Sequence, residues 1–269
     1  MRSRGKVAIV TGGGGGIGEG ICLCLARMGA DVTVSDVKKD LADSVANKVR
    51  KIGRKALAIK TDVRVAEECR DLVDATVKAM GQIDILVCSA GVSGIRTDSG
   101  KPPILENISE EDWNLTIDVN LKGVFLCNQA VAPYFKKQKS GKIVNISSIG
   151  GRRGMNMAHY CASKAGVIVF TQSVALQLAP FNVNVNTICP GLIQTPLWKS
   201  AAYALSYSNP QFKGLGEKEI FDAQVQNIIP LKRPQTPTDI GNAVVFLCSA
   251  EADQITGQAL NVDGGAVFS

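Results

Sequence analysis

Tyr160 and Lys164 lie four residues apart in Tyr160-Cys161-Ala162-Ser163-Lys164. On a helix that spacing puts both side chains on one face. A free phenol titrates at about 10 and is a poor base at neutral pH. A nearby ammonium favours the phenolate and lowers that value. The pair could therefore take a proton from an alcohol or, in reverse, give one to a ketone. Ser148 closes the β-rich run Lys142–Ser147, twelve residues before Tyr160. Its hydroxyl could hold the substrate oxygen against the phenol. Tyr-x-x-x-Lys alone is common on solvated helices, so the pair needs a reason to sit beside a reacting carbon.

The N-terminal region supplies that reason. Val7-Ala8-Ile9-Val10 runs into Thr11-Gly12-Gly13-Gly14-Gly15-Gly16-Ile17-Gly18, and an apolar helix pattern follows. A strand, a glycine turn and a helix start are what a dinucleotide phosphate loop requires. The helix N-terminus offers free N–H groups and the positive end of a dipole to the pyrophosphate. The next β-rich run ends in Asp36, 18 residues after Gly18. A carboxylate there can accept hydrogen bonds from the adenosine ribose hydroxyls and repel a 2′-phosphate. Lys38 and Lys39 follow and could reach such a phosphate, so NAD is favoured over NADP on the carboxylate alone. His159 raises the competing idea of Ser-His-Asp hydrolysis, but no Gly-x-Ser-x-Gly elbow is present. It reads as a neighbour of the pair and a candidate pocket-lining residue.

These residues need a scaffold, and the composition narrows it. The 269 residues are 45% hydrophobic and 20% charged, enough to bury a large core, which excludes disorder of the whole chain. No apolar stretch approaches the roughly 20 residues of a membrane helix, and Met1–Arg4 leads into no secretory h-region. The 30 basic and 24 acidic residues are scattered, with no one-sided stripe for nucleic acid. Eight cysteines without Cys-x-x-Cys spacing read as buried thiols in a reducing, cytoplasmic setting. One histidine and no ligand cluster argue against a metal centre.

Short β-rich runs recur at Lys6–Thr11, Asp31–Asp36, Ala56–Lys60, Ile83–Cys88, Lys142–Ser147, Val183–Cys189 and Ala259–Val262, with helical patterns between them. One helix is expected over Lys39–Ile52, with Leu41, Val45, Val49 and Ile52 on its buried face. The alternation predicts an α/β fold: one doubly wound domain over 1–269, with a parallel sheet of about seven strands and helices on both faces. Its ligand site would lie at the carboxyl ends of the strands. Two stretches break the rhythm. Val92–Leu105, with Gly94, Gly100, Pro102 and Pro103, is expected as an active-site-edge loop. The aromatic-rich segment at about 192–229 is either a substrate lid or a patch packed on the body, with equal weight for each.

Taken together, the motifs resemble the short-chain dehydrogenases/reductases of the compact type, over nearly the whole chain. The resemblance rests on Thr11-Gly12-x-x-x-Gly16-Ile17-Gly18, Asp62-Val63, Ala90-Gly91, Asn120, Ser148, Tyr160-x-x-x-Lys164, Pro190-Gly191 and Val262-Asp263-Gly264-Gly265. It implies a Rossmann-like fold, with Asn120 joining Ser148, Tyr160 and Lys164 in catalysis by helping to hold a water beside the lysine. It implies that Lys164 also bonds the nicotinamide ribose. Asp62 and Val63 would meet the adenine, Ser89, Ala90 and Gly91 the adenosine side, and Pro190, Gly191, Ile193 and Thr195 the nicotinamide. It further implies a homotetramer built on the helices near 120–135 and 159–179. The chain departs from the family where Cys88-Ser89-Ala90-Gly91 replaces Asn-Asn-Ala-Gly, and Cys88 is a weak substitute in hydrogen bonding. The serine-to-tyrosine interval is also one residue shorter than common.

The resulting expectation is an NAD-dependent oxidoreductase interconverting a secondary alcohol and a ketone, with an apolar or cyclic small-molecule substrate. Within the same class, Arg96, Lys101, Arg152 and Arg153 could meet a carboxylate or a coenzyme A phosphate, as in a 3-oxoacyl reductase or hydroxyacyl-CoA dehydrogenase. Plain surface charge is the favoured account of those four. A regulatory protein that binds NAD without catalysis is a lesser alternative, since Tyr160, Lys164, Ser148 and Asn120 are all present.

Overall fold

The computed structural model describes residues 5–94 and 104–268. Seven strands form one parallel sheet: β1 (Val7–Thr11), β2 (Asp31–Asp36), β3 (Ala56–Lys60), β4 (Ile85–Cys88), β5 (Gly141–Ile146), β6 (Val183–Pro190) and β7 (Ala259–Val262). Their order is β3-β2-β1-β4-β5-β6-β7. The chain leaves β1 toward β2 and β3, then crosses back to β4, so strand order reverses between β1 and β4. In doubly wound sheets the ligand crevice opens at that point, beyond the carboxyl ends of the strands.

Nine α-helices are described: α1 (Gly16–Arg27), α2 (Lys39–Lys51), α3 (Ala66–Met80), α4 (Glu110–Ile117), α5 (Gly123–Gln138), α6 (Ala158–Leu178), α7 (Trp198–Ser208), α8 (Glu217–Ile228) and α9 (Pro237–Leu247). Strand side chains alternate between the two sheet faces. Ala8 and Val10 of β1 pack with α1, α2 and α9, whereas Ile9 packs with α3, α5 and α6. Both faces are covered, which is why the strands read as apolar runs rather than as alternating patterns. Within α2 the buried stripe is Ala42, Val45, Ala46 and Val49. The expected stripe is thus corrected by part of a turn: Leu41 and Ile52 are 39% and 36% exposed.

α6 is the exception to the expectation about apolar length. The stretch Ala158–Phe181 is long and apolar enough by composition to cross a membrane. It also carries Tyr160, Ser163, Lys164 and Thr171 buried against the sheet, as a core helix does. The segment at 192–229 folds as α7, a short turn and α8. Trp198, Phe212, Ile220, Phe221 and Val225 make a small core of their own there, with the Trp198 and Phe221 rings edge to face at 5.0 Å. Of the expected edge loop Val92–Leu105, residues 95–103 lie outside the described residues.

Candidate active site

The β1–α1 turn builds a phosphate cradle from local geometry. Gly12 has φ +63°, and a Cβ there would stand 2.6 Å from the Ala90 Cα. At Gly18 a Cβ would stand 2.0 Å from the Gly12 carbonyl oxygen, so only glycine lets α1 start this close to the turn. At the end of β2, Asp36 Oδ2 accepts a hydrogen bond from the Gly14 N–H at 3.1 Å, and Oδ1 accepts one from the Lys38 N–H at 3.0 Å. The carboxylate is held at the rim of the cradle with lone pairs left for a ligand. Lys39 turns away to pair with Asp43. Asp62 is gripped by Arg64, whose Nε lies 2.9 Å from Oδ1 and whose Nη2 lies 2.6 Å from Oδ2. Those hydrogen bonds hold the Asp62 carboxyl below the usual range. A cradle of glycines at a helix N-terminus, with a carboxylate on the ribose side, fits a dinucleotide.

The residues expected to react come from three elements. β5 ends just before Ser148, whose Oγ accepts a hydrogen bond from the Gly150 N–H at 3.0 Å. α6 supplies Tyr160 and Lys164, with the Lys164 Nζ 5.8 Å from the centre of the Tyr160 ring. That amine donates to the Ile146 carbonyl at 3.0 Å, and the Ser147 hydroxyl donates to the Lys164 carbonyl at 2.7 Å. Between α4 and α5 the backbone widens into one π-helical turn, Asp118–Lys122, which turns Asn120 inward. Such turns recur at functional sites. Asn120 Oδ1 accepts from the Val92 N–H at 2.8 Å, and its Nδ2 donates to the Val92 carbonyl at 2.9 Å and to Ser163 Oγ at 3.0 Å. Ser163 Oγ in turn donates to the Tyr160 carbonyl at 2.7 Å. Gly91 sits between the two halves: a Cβ there would stand 3.3 Å from Asn120 Oδ1 and 3.4 Å from Lys164 Nζ.

Burial dominates the electrostatics. It pushes the Tyr160 phenol above its ordinary value, and the Ser148 hydroxyl only partly offsets this. The expectation that the amine makes the phenol acidic is therefore not met in the chain by itself. Lys164 is itself desolvated, and burial brings it down to about 8.

Every expected catalytic or coenzyme-contact residue except Asn120 borders one cleft of about 860 Å³. Asn120 lies behind its wall and acts on it through Val92 and Ser163. His159 corrects the sequence reading. It is buried, with its ring against Gly94 and beside Thr116, and it does not border the cleft. Sequence reasoning missed Ser163, although it stands inside the Tyr-x-x-x-Lys stretch. It also missed the support under Cys88. Asn128 Nδ2 lies 3.5 Å from Cys88 Sγ and donates to Asn145 Oδ1 at 3.0 Å, and Asn145 Nδ2 donates to Thr171 Oγ1 at 3.0 Å. Those partners sit on three different elements, so no local signal marks them.

A parallel sheet with this crossover, a glycine cradle and a buried Tyr/Lys pair in one cleft define a nucleotide-dependent oxidoreductase fold. The family model described as enoyl-(acyl carrier protein) reductase matches residues 12–267. The 3-oxoacyl-acyl-carrier-protein reductase FabG of Thermotoga maritima is 36% identical over 269 residues, covering 100% of both chains. An (S)-acetoin-forming diacetyl reductase of Staphylococcus epidermidis is 36% identical over 265 residues, 98% of this chain and 99% of that one. Among solved structures, an NAD+-bound xylitol dehydrogenase superposes with a TM-score of 0.90 at 29% identity, covering 98% of this chain and 100% of that one. A 7α-hydroxysteroid dehydrogenase complexed with NADH and 7-oxo glycochenodeoxycholic acid gives 0.84 at 33% identity, covering 100% of this chain and 96% of that one. The chain belongs to the short-chain dehydrogenase/reductase family of oxidoreductases.

Proposed function

We propose that this protein interconverts a secondary alcohol and a ketone with NAD(H) as coenzyme. The observation that carries the proposal is the placement of Ser148, Tyr160 and Lys164 on the same cleft as the glycine cradle. Gly12, Gly16, Ile17 and Gly18 would hold the pyrophosphate, Asp36 the adenosine ribose, and Asp62, Val63, Ser89, Ala90 and Gly91 the rest of the adenosine. Pro190, Gly191, Ile193 and Thr195 would flank the nicotinamide, which when bound supplies or receives the hydride. In reduction Tyr160 Oη gives its proton to the carbonyl oxygen, and in oxidation it takes the alcohol proton. Ser148 Oγ donates to the same oxygen and fixes its distance from the phenol. Lys164 Nζ, 5.8 Å from the centre of the Tyr160 ring, would bond the nicotinamide ribose and help restore the phenol proton. Asn120 is a positioning residue, acting through Val92 and Ser163.

NAD over NADP is supported by Asp36, whose charge opposes a 2′-phosphate, and by the NAD+ and NADH bound in the two structural neighbours. Met155, Met157, Leu192, Trp198, Ala204 and Leu205 give the substrate end apolar walls, suited to an apolar or cyclic small molecule. The lid expected over 192–229 is part of the proposal: α7 and α8 contribute one side of that end. A second reading, a 3-oxoacyl reductase, is favoured by the similarity to the Thermotoga 3-oxoacyl-acyl-carrier-protein reductase. A homotetramer is supported by apolar residues left open on α5 and α6, with Val169 and Leu176 61% and 79% exposed. A cytoplasmic setting fits eight cysteines that are all free thiols.

The test is coenzyme-linked turnover, followed at the NADH absorbance, over a panel of alcohols, ketones and 3-oxoacyl thioesters with both coenzymes. Turnover should be found with NAD(H), should be weaker with NADP(H), and should be lost in Tyr160→Phe. Retained turnover in Y160F removes the phenol from its role.

A further inference from the structure

Four cations and two acids border the cleft among its described lining residues. Both acids, Asp36 and Asp62, stand at the adenosine end, with Lys38 and Arg64 beside them. Lys164 is the buried amine of the reactive pair. Among those described lining residues the substrate end has one cation besides Lys164, Arg153, and no acid.

Arg153 lies in the segment joining Ser148 to Tyr160, which runs over the mouth of the reactive pocket. Its neighbour shows how differently two adjacent arginines are used. Arg152 folds under the sheet, where a guanidinium nitrogen donates to the Ala259 carbonyl of β7, and it lies beside the Cys189 thiol. It does not border the cleft. Arg153 stays exposed at the cleft rim, and its guanidinium has no carboxylate partner among the described residues. The same cleft is lined by the apolar side chains of Met155, Trp198, Ala204 and Leu205. A lone, unneutralised guanidinium beside low-dielectric walls raises the local concentration of anions and orients an oxyanion by two parallel N–H bonds.

We infer that Arg153 is a specificity-determining residue that anchors an anionic group on the substrate, so that the preferred substrate joins an apolar body and a carbonyl to an oxyanion. This rests on the alcohol–ketone reading above and deepens it. The oxyanion has two chemical sources: a carboxylate on the ketone itself, or a phosphate of a thioester carrier. A charge-assisted hydrogen bond contributes about 1.5–3 kcal/mol, so losing it should cost about ten- to a hundredfold in kcat/KM.

The experiment compares a cyclohexanone carboxylate, its neutral methyl ester and a 3-oxoacyl coenzyme A thioester, using the full chain with NADH. Each is followed by turnover and by calorimetric binding, for wild type, Arg153→Gln and Arg153→Lys. Wild type should prefer the carboxylate to its ester, mainly through KM, and the preference should shrink with added salt. R153Q should lose far more on the anion than on the ester, with R153K recovering part. Selective loss on the thioester alone assigns the anion to the carrier phosphates. Binding that depends on Arg153 without turnover of any ligand supports the anchor and overturns the alcohol–ketone reading. Equal losses on all three ligands in R153Q, or a selective loss on neither the carboxylate nor the thioester, overturns the anchor.

Discussion

Asn120→Ala is the most direct test of how the site is held together. Asn120 is completely buried, and its side chain closes three hydrogen bonds of 2.8, 2.9 and 3.0 Å. Two of them hold the backbone of Val92, beside Gly91 at the junction of the glycine turn and the Tyr160/Lys164 pair. A net hydrogen bond contributes about 1 kcal/mol, and a donor left unpaired by truncation costs more. Three bonds lost, with the Val92 N–H left without this partner, sum to about 3–4 kcal/mol. For a chain of this size that corresponds to a melting temperature lower by roughly 6–15 °C. Thermal unfolding followed by far-ultraviolet circular dichroism reads the loss. NADH affinity, read by fluorescence titration at a temperature where the variant is folded, should fall with it, because residues 90–92 line the cleft. Asn120→Asp keeps an acceptor for the Val92 N–H but, when ionised, loses the donor to the Val92 carbonyl and buries a charge. Its deficit should therefore be present above the raised carboxyl pKa and ease as pH falls through it. A shift under about 2 °C in N120A, with NADH affinity unchanged, would refute the claim that this side chain holds the junction.

Four further outcomes are expected. Ketone reduction needs the Tyr160 phenol and the Lys164 ammonium, so its kcat/KM should be level at lower pH and fall above about pH 8, where buried Lys164 loses its proton, while alcohol oxidation rises; a reduction rate still level well above pH 8 would contradict this. Because Lys164 is lowered from 10.5 to about 8, the unfolded chain binds the extra proton between those values, and this one group makes stability rise with pH across that window. Cys22, Cys69 and Cys127 are buried and their thiols are pushed well above the ordinary value, Cys69 and Cys127 with sulfurs 3.8 Å apart; a thiol reagent should leave all three unmodified until the chain is unfolded, as peptide mapping would report. Leu176→Glu should split the proposed tetramer by charging an exposed apolar face of α6, measured by light scattering after size exclusion, and an unchanged mass would remove α6 from the interface.

The sequence by itself determined the order of strands and helices, the parallel sheet and the glycine turn, because each follows from local constraint. Strand runs, helix periods and a backbone that must approach a phosphate without a Cβ all leave marks within a few residues. It also placed Tyr160 and Lys164 on one helix face by spacing alone. Only the tertiary structure decided what depends on meeting across the fold. Leu41 and Ile52 fell off the buried face of α2, where Ala42, Val45, Ala46 and Val49 pack instead. His159, adjacent to Tyr160 in sequence, turned into the body toward Gly94, while of the adjacent Arg152 and Arg153 the first reached the Ala259 carbonyl and the second stayed on the cleft. The phenol's acidity also belonged to the fold. Spacing brought an amine near it, but removal of both groups from water outweighed their proximity, since desolvation acts through every surrounding atom and a pairwise distance does not record it.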